Sequence, residues 1–173
     1  MKISLIGFMA TGKSTVGKLL SQKMGLKFLE TDQLIELSED KSIPQIFAQY
    51  GENYFRQLEK EILNEIIKKR DSFVLSTGGG IVLARENRSL LKQETIPFLL
   101  QADPETIYQR TKNEENRPLL AQPDPKKTIE TLLAQRAEYY NQFKPKIKTD
   151  HKTPVEIAAE IMDYIGADFD ESD

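Results

Sequence analysis

The chain has 173 residues and a formal net charge of -3, with 39% hydrophobic and 29% charged residues. That length and balance suit one domain with a buried core, and the charge leaves no footprint for nucleic acid. The lack of cysteine excludes disulfides, thiol catalysis and cysteine-ligated zinc; a single histidine, His151, excludes a histidine-rich metal site; no apolar run approaches the ~20 residues of a membrane span.

An apolar run at 3–6 predicts a strand, and it leads straight into the string GFMATGKST at 7–15. The string satisfies G-x-x-x-x-G-K-[ST] at every fixed position. A helical period follows in Val16, Leu19, Leu20 and Met24, and Gly25 ends it. Strand, glycine loop and helix together make a phosphate cradle, in which backbone N–H groups of Ala10, Thr11, Gly12 and Thr15 can face phosphate oxygens. Lys13 can reach the β- and γ-phosphates, and the Ser14 hydroxyl can ligate Mg²⁺. The chain is therefore expected to bind a nucleoside triphosphate. A core-type strand so near residue 1 implies no leader peptide, and a cytoplasmic location is expected.

Residues 27–29 predict a second strand, with Glu30, Thr31 and Asp32 at its C-terminal end. Ser42 and Gln45 form a capping box that opens a helix stopping at Gly51. Phe55, Leu58, Ile62 and Ile66 mark a long amphipathic helix to about residue 69. Residues 72–76 predict a third strand running into Gly78, Gly79 and Gly80, and 96–100 a fourth. Asp103 and Pro104 predict a helix with an N-cap and a first-turn proline. The polar segment 112–125 has no core period and reads as a mobile loop, or lid. A helix over about 126–143, a short strand at 147–149, a capping box at Thr153 and Glu156, and a final helix to 165 complete the order. The acidic residues 167–173 read as a frayed tail.

Five strands alternating with helices predict a single α/β domain, three layers deep, with a parallel sheet and helices on both faces. Ligands bind at the C-terminal ends of strands in such folds. The phosphate loop, Glu30 to Asp32, and Gly78 to Gly80 all fall there, so three segments build one site. No N-K-x-D element for guanine is present, and a motor or helicase needs a longer chain. A small phosphate-loop kinase remains.

Asp32 can accept a proton or a hydrogen bond from an attacking hydroxyl, or it can cap a helix. Glu30 can reach Mg²⁺ through a water, or it is a solvated strand-end acid. Arg56 sits near the start of the long helix, against the macrodipole, which favours a role toward an anionic ligand. The stripe Ile129, Leu132, Leu133, Tyr140 and Phe143 places Arg136 on the inward face, where it either snorkels or points into an anion-binding cleft, with the cleft favoured. Gly78 to Gly80 leave backbone bare for close approach of a ligand. Arg117, before Pro118 in the mobile loop, is either an arginine finger supplied in cis or a solvated side chain.

The strings GFMATGKSTVG, FLETDQLIE, GENYFRQLE, STGGGIV, NRPLL and the Arg136 helix, in this order and spacing, resemble the shikimate kinase family over residues 2–165. The resemblance implies a nucleoside-monophosphate-kinase-like phosphate-loop fold, with a substrate-binding segment at about 32–60 and a lid at about 112–125. It implies phosphorylation of the shikimate 3-hydroxyl by ATP with Mg²⁺, in a monomer without nucleic-acid or membrane partners. On matching positions, Lys13, Asp32 and Arg117 would be catalytic, and Arg56, Arg136, Gly79 and its flanking glycines would hold shikimate. Arg110 and Pro154 would flank the adenine, with Lys152 nearby. Glu30 stands where the family usually has aspartate, and Ala10 where it commonly has glycine. Another hydroxy-carboxylate kinase of the same fold, such as a gluconate kinase, also fits the two arginines, and an ATP-sensing module without turnover is the rival of a different class.

Overall fold

The computed structural model describes residues 1–69, 71–112 and 123–170. Its five strands are β1 (Lys2–Ile6), β2 (Lys27–Glu30), β3 (Phe73–Ser76), β4 (Ile96–Gln101) and β5 (Lys146–Lys148). They form one parallel sheet in the order β2-β3-β1-β4-β5. The helices are α1 (Lys13–Met24), α2 (Thr31–Glu39), α3 (Ile43–Lys68), α4 (Arg85–Glu94), α5 (Pro104–Thr111), α6 (Pro125–Tyr140) and α7 (Pro154–Asp170), with a short 3₁₀ turn at Ile81–Leu83.

Alternation along the strands assigns each face of the sheet. Ile3 and Leu5 of β1, Val74 of β3 and Phe98 and Leu100 of β4 pack with Val16 and Leu20 of α1 and Ile157 and Ile161 of α7. Ile6, Phe73, Leu75 and Leu99 point the other way, onto Leu63 and Ile66 of α3, Leu91 of α4 and Ile129 and Tyr140 of α6. A smaller cluster, Ile35, Ile46, Phe55 and Leu58, ties α2 to both halves of α3. The expected parallel sheet with helices on both faces is what the chain forms.

Several expectations need correction. Asp32 is no helix cap: α2 starts at Thr31, with Glu30 in the cap position. The helix α4 is largely polar, with Leu90 and Leu91 its apolar residues, and was not expected from the sequence. Asp103 precedes a helix with proline in its first turn, but its side chain makes no capping bond. The last strand begins at Lys146, one residue early, and α7 runs to Asp170, into the acidic stretch read as a tail. The break at Gly51 is present as a kink inside α3, where φ is 79° and ψ is 175°.

β1 connects leftward through α1 to β2, whereas β4 beside it leads rightward to β5. The crevice between such oppositely directed connections is where doubly wound folds place ligands. Gly7 leaves β1 at that crevice with φ 152°, and a Cβ there would run into the Leu100 carbonyl oxygen and lie 2.9 Å from Thr11 Oγ1. Gly7→Ala should therefore cost about 2 kcal/mol or more. Gly166→Ala, in open space on α7, should instead stabilise by about 0.5–1 kcal/mol. Urea unfolding of the two variants checks both; equal effects would contradict this reading of the crevice.

Candidate active site

The phosphate loop owes its shape to three unusual backbone positions, Gly7, Ala10 (φ 56°) and Gly12 (φ 95°). Gly12 is the N-cap of α1, so Lys13, Ser14 and Thr15 carry the first N–H groups of that helix without intrahelical partners. Thr11 Oγ1 donates to the Phe8 carbonyl at 2.8 Å and braces the curl from within. The buried Lys13 ammonium donates to the carbonyls of Gly7 at 2.8 Å and Phe8 at 2.7 Å. A cavity of about 470 Å³ opens over this loop, lined by residues 9–16 with Glu30, Asp32, Arg110, Lys152 and Pro154 among others.

Ser14 Oγ donates to Glu30 Oε1, and Ser76 Oγ lies 3.4 Å from Ser14 Oγ. The register of β2 on β3 sets Glu30 opposite Ser76, so the sheet itself brings these oxygens beside the helix start. Oxygen donors of this kind suit Mg²⁺, which takes one or two carboxylates and keeps several waters. On the far side, Arg110 donates to the Ala10 carbonyl at 3.0 Å, to Thr149 Oγ1 at 3.2 Å and to the Thr149 carbonyl at 3.0 Å. Lys152 pairs with Glu160 at 2.5 Å. Pro154 opens α7 behind the Thr153–Glu156 capping box, whose bonds measure 2.7 and 3.3 Å.

A second cavity, of about 390 Å³, adjoins the first and shares Met9, Asp32 and Gly79 with it. Pro44, Phe47 and Phe55 give it an apolar wall; Arg56 and Arg136 give it positive charge. Arg136 is 7% exposed and lies over the Phe8 ring at 5.7 Å. Arg56 donates to Glu52 Oε1 from Nη2 at 2.9 Å, and to Glu59 from Nη1. The glycines are close to both: a Cβ at Gly80 would collide with the Arg56 guanidinium, and one at Gly78 would lie 2.6 Å from Asp32 Oδ1. The Gly78 N–H donates to Thr31 Oγ1 at 2.8 Å, which fixes that turn against α2.

The structure thus brings together every expected site residue among those described. Arg117 and most of the segment expected as a lid lie outside the described residues; within 112–125, Lys112 follows α5 and Asp124 caps α6 through Lys127 N at 3.0 Å.

Two residues, one lining the second cavity and one behind its Gly79 turn, carried no role in the sequence reading. Tyr140 Oη donates to the Gly79 carbonyl at 2.6 Å, and burial pushes its phenol up to about 12. Glu59 is 1% exposed, and its Oε1 has no hydrogen-bond partner. Burial outweighs the attraction of Arg56 and, with Asp32 nearby, pushes the Glu59 carboxyl up to about 7. Its i, i+3 spacing from Arg56 was the available signal, but the same spacing is common on solvated helix faces.

A raised folded-state pKa means that the folded chain holds more protons than the unfolded one between the two titrations. The Glu59 contribution is therefore fully present below about pH 4.5 and is lost as pH rises through about 7. The loss is on the order of 3 kcal/mol. Urea unfolding at about pH 5 and about pH 8 should show it in the native chain, with a clearly smaller change in Glu59→Gln. Identical pH slopes in the two proteins would place the buried titration elsewhere.

The family model for shikimate kinase matches residues 9–166. A shikimate kinase of Thermodesulfovibrio yellowstonii is 41% identical over 160 residues, covering 92% of each chain. One from Deinococcus radiodurans is 42% identical over 165 residues, 95% of this chain and 83% of that protein. Among solved structures, a shikimate kinase from Acinetobacter baumannii in complex with shikimate superposes with a TM-score of 0.92 at 36% identity, over 96% of this chain and 93% of that one. With a phosphate loop opening onto an arginine-lined cavity and these matches along nearly its whole length, the chain belongs to the shikimate kinase family.

Proposed function

We propose that the chain transfers the γ-phosphoryl group of ATP to the 3-hydroxyl of shikimate, giving ADP and 3-phosphoshikimate. The observation that carries this reading is the junction of the two cavities at Asp32 and Gly79. A nucleotide held in the first presents its terminal phosphate toward a hydroxyl held in the second. The family's activity and the shikimate bound by the related Acinetobacter protein support the same assignment.

Phosphoryl transfer needs positioning and charge neutralisation more than covalent chemistry. The N–H groups at the start of α1 receive the β-phosphate, and Lys13 exchanges the Gly7 and Phe8 carbonyls for phosphate oxygens. Arg110 and Pro154 flank the adenine, with Lys152 at the edge of that cavity. Arg56 and Arg136 hold the substrate carboxylate, and their bidentate geometry orients the ring. The Gly79 N–H supports it from the turn, and the neighbouring glycines allow that approach. Asp32 accepts the hydrogen bond of the attacking hydroxyl and is placed to take its proton. Ser14, with Glu30 through water, would hold Mg²⁺, which supplies neutralisation of the β- and γ-phosphate charge. The role on the ATP phosphates expected of Arg117 belongs to the same proposal.

Release of ADP in a coupled assay with shikimate, gluconate and CMP as acceptors tests the assignment; turnover of gluconate in preference to shikimate would overturn it. Arg56→Ala should lower kcat/KM for shikimate by about 2–4 kcal/mol, with the ATP dependence little changed. An unaltered KM for shikimate would remove Arg56 from the carboxylate site. Glu30→Ala should raise the Mg²⁺ needed for half-maximal rate, because losing a partner that orients a metal ligand costs about 10–100-fold. Glu30→Asp should stay within about tenfold of the native rate. A Mg²⁺ titration that superposes Glu30→Ala on the native chain would leave Glu30 a structural acid.

A further inference from the structure

We propose that Glu59 takes up a proton when the substrate carboxylate binds between Arg56 and Arg136, so that binding and protonation are one linked event. The proposal rests on the assignment of the second cavity to shikimate.

Charge balance is the first argument. Three carboxylates, Asp32, Glu36 and Glu59, already outnumber the two guanidinium groups of the cavity, Arg56 and Arg136. A carboxylic acid of ordinary pKa, about 4, enters ionised near neutral pH. It adds a further anion without a further cation and competes with Glu59 for Arg56. In a site screened from water, an uncompensated charge is costly, and the group that can neutralise most readily does so.

Geometry selects Glu59 as that group. It is 1% exposed, whereas Asp32 is only half-buried and opens to both cavities. One Glu59 oxygen accepts from Arg56, and the other, Oε1, is buried with no partner. A Cβ on Gly78 would lie 2.8 Å from Glu59 Oε1 and 2.6 Å from Asp32 Oδ1, so the two oxygens crowd the same side of that turn. A proton on Oε1 converts an orphan acceptor into a donor facing Asp32. It relieves one carboxylate of its charge and gives the other a hydrogen bond.

Among the described residues, the lining of this cavity offers no other cation that would cancel the incoming anion. On α3, Glu52 shares Arg56 with Glu59. From α2, Asp32 adds to the negative charge, and Glu36 is occupied by the Ile43 N–H at 2.9 Å. From α6 come Arg136 and the neutral Tyr140. α4 presents Glu86, which lies 3.8 Å from Lys60 in an exposed pair. The Gly78–Gly80 turn and the 3₁₀ turn after it carry no titratable side chain. Burial already holds the carboxyl near neutrality before ligand arrives, at about 7, so a further anion has only a short distance to move it.

Calorimetry of shikimate binding at about pH 8, in phosphate and in Tris, reads the proton directly from the dependence of the observed enthalpy on buffer ionisation. The native chain should take up about half a proton or more, and its Kd should weaken with rising pH above that point. Glu59→Gln should bind shikimate with no buffer dependence. Binding by the native chain with no buffer dependence would overturn the proposal and leave the substrate assignment standing. A buffer dependence that persists in Glu59→Gln would overturn it too, by placing the proton on another group. No shikimate binding by the folded native chain would instead sink the substrate assignment. If the glutamine variant does not fold, Glu59→Asp serves: its pH profile of Kd should shift from the native one, and an identical profile would count against Glu59.

Discussion

The phosphate loop, the Glu30–Asp32 segment and the Gly78–Gly80 turn hang from the carboxyl ends of the adjacent parallel strands β1, β2 and β3, and the central place of β1 in the sheet makes that possible. With β3 on one side and β4 on the other, the phosphate loop leaving β1 lies between the Gly78–Gly80 turn and the end of β4. Backbone must pass backbone at that point, and side chains are what the crowding removes. Gly7 has no room for a Cβ because of the Leu100 carbonyl, and Gly80 has none because of Arg56. The two cavities meet at Met9, Asp32 and Gly79. A phosphoryl group can pass between them only if donor and acceptor are held in line, which is what rigid strand ends supply.

The second cavity combines two costly features, one buried and one half-buried arginine beside a buried glutamate, and each offsets the other. A lone carboxylate at 1% exposure would neutralise, and a lone guanidinium cannot. Arg56 is held by two glutamates on its own helix, so its direction is set before any ligand arrives. Arg136 is held by stacking over Phe8 and by Tyr140, whose hydroxyl in turn anchors the Gly79 carbonyl. Preorganised charge of this kind is worth more in a screened site than in water, because little reorganisation is needed when the anion binds.

The sequence made some of this legible and hid the rest for identifiable reasons. The apolar strands, the phosphate loop and the break at Gly51 were readable because strand alternation, fixed-spacing glycines and capping boxes are local signals. The helix α4 was not, because its buried face holds Asn87 and Arg88 beside Leu91. Arg88 is buried to satisfy the carbonyls of Val82 and Leu83, at 2.6 and 3.0 Å, and Asn87 the carbonyl of Ile81 at 3.3 Å. Polar residues recruited to finish a neighbouring turn leave the buried face with too few apolar positions to announce a helix. Glu59 was hidden the same way. Only the Gly78–Gly80 turn closing over α3 separates it from an ordinary surface glutamate, and that closure is a long-range fact.

Glu30 and Ala10, the two positions expected to depart from the family pattern, fit their surroundings for related reasons. A serine hydroxyl whose proton is held by an acceptor keeps its oxygen lone pairs free for a cation. Glu30 is that acceptor for Ser14, and its extra methylene brings the carboxylate onto the hydroxyl from the strand end. Ala10 adopts φ 56°, a left-handed conformation that costs a residue with a Cβ about 1–2 kcal/mol. Its carbonyl is the one Arg110 grips at 3.0 Å, while the same guanidinium holds Thr149 beyond β5. The strained residue of the phosphate loop is thereby tied to the far edge of the same cavity.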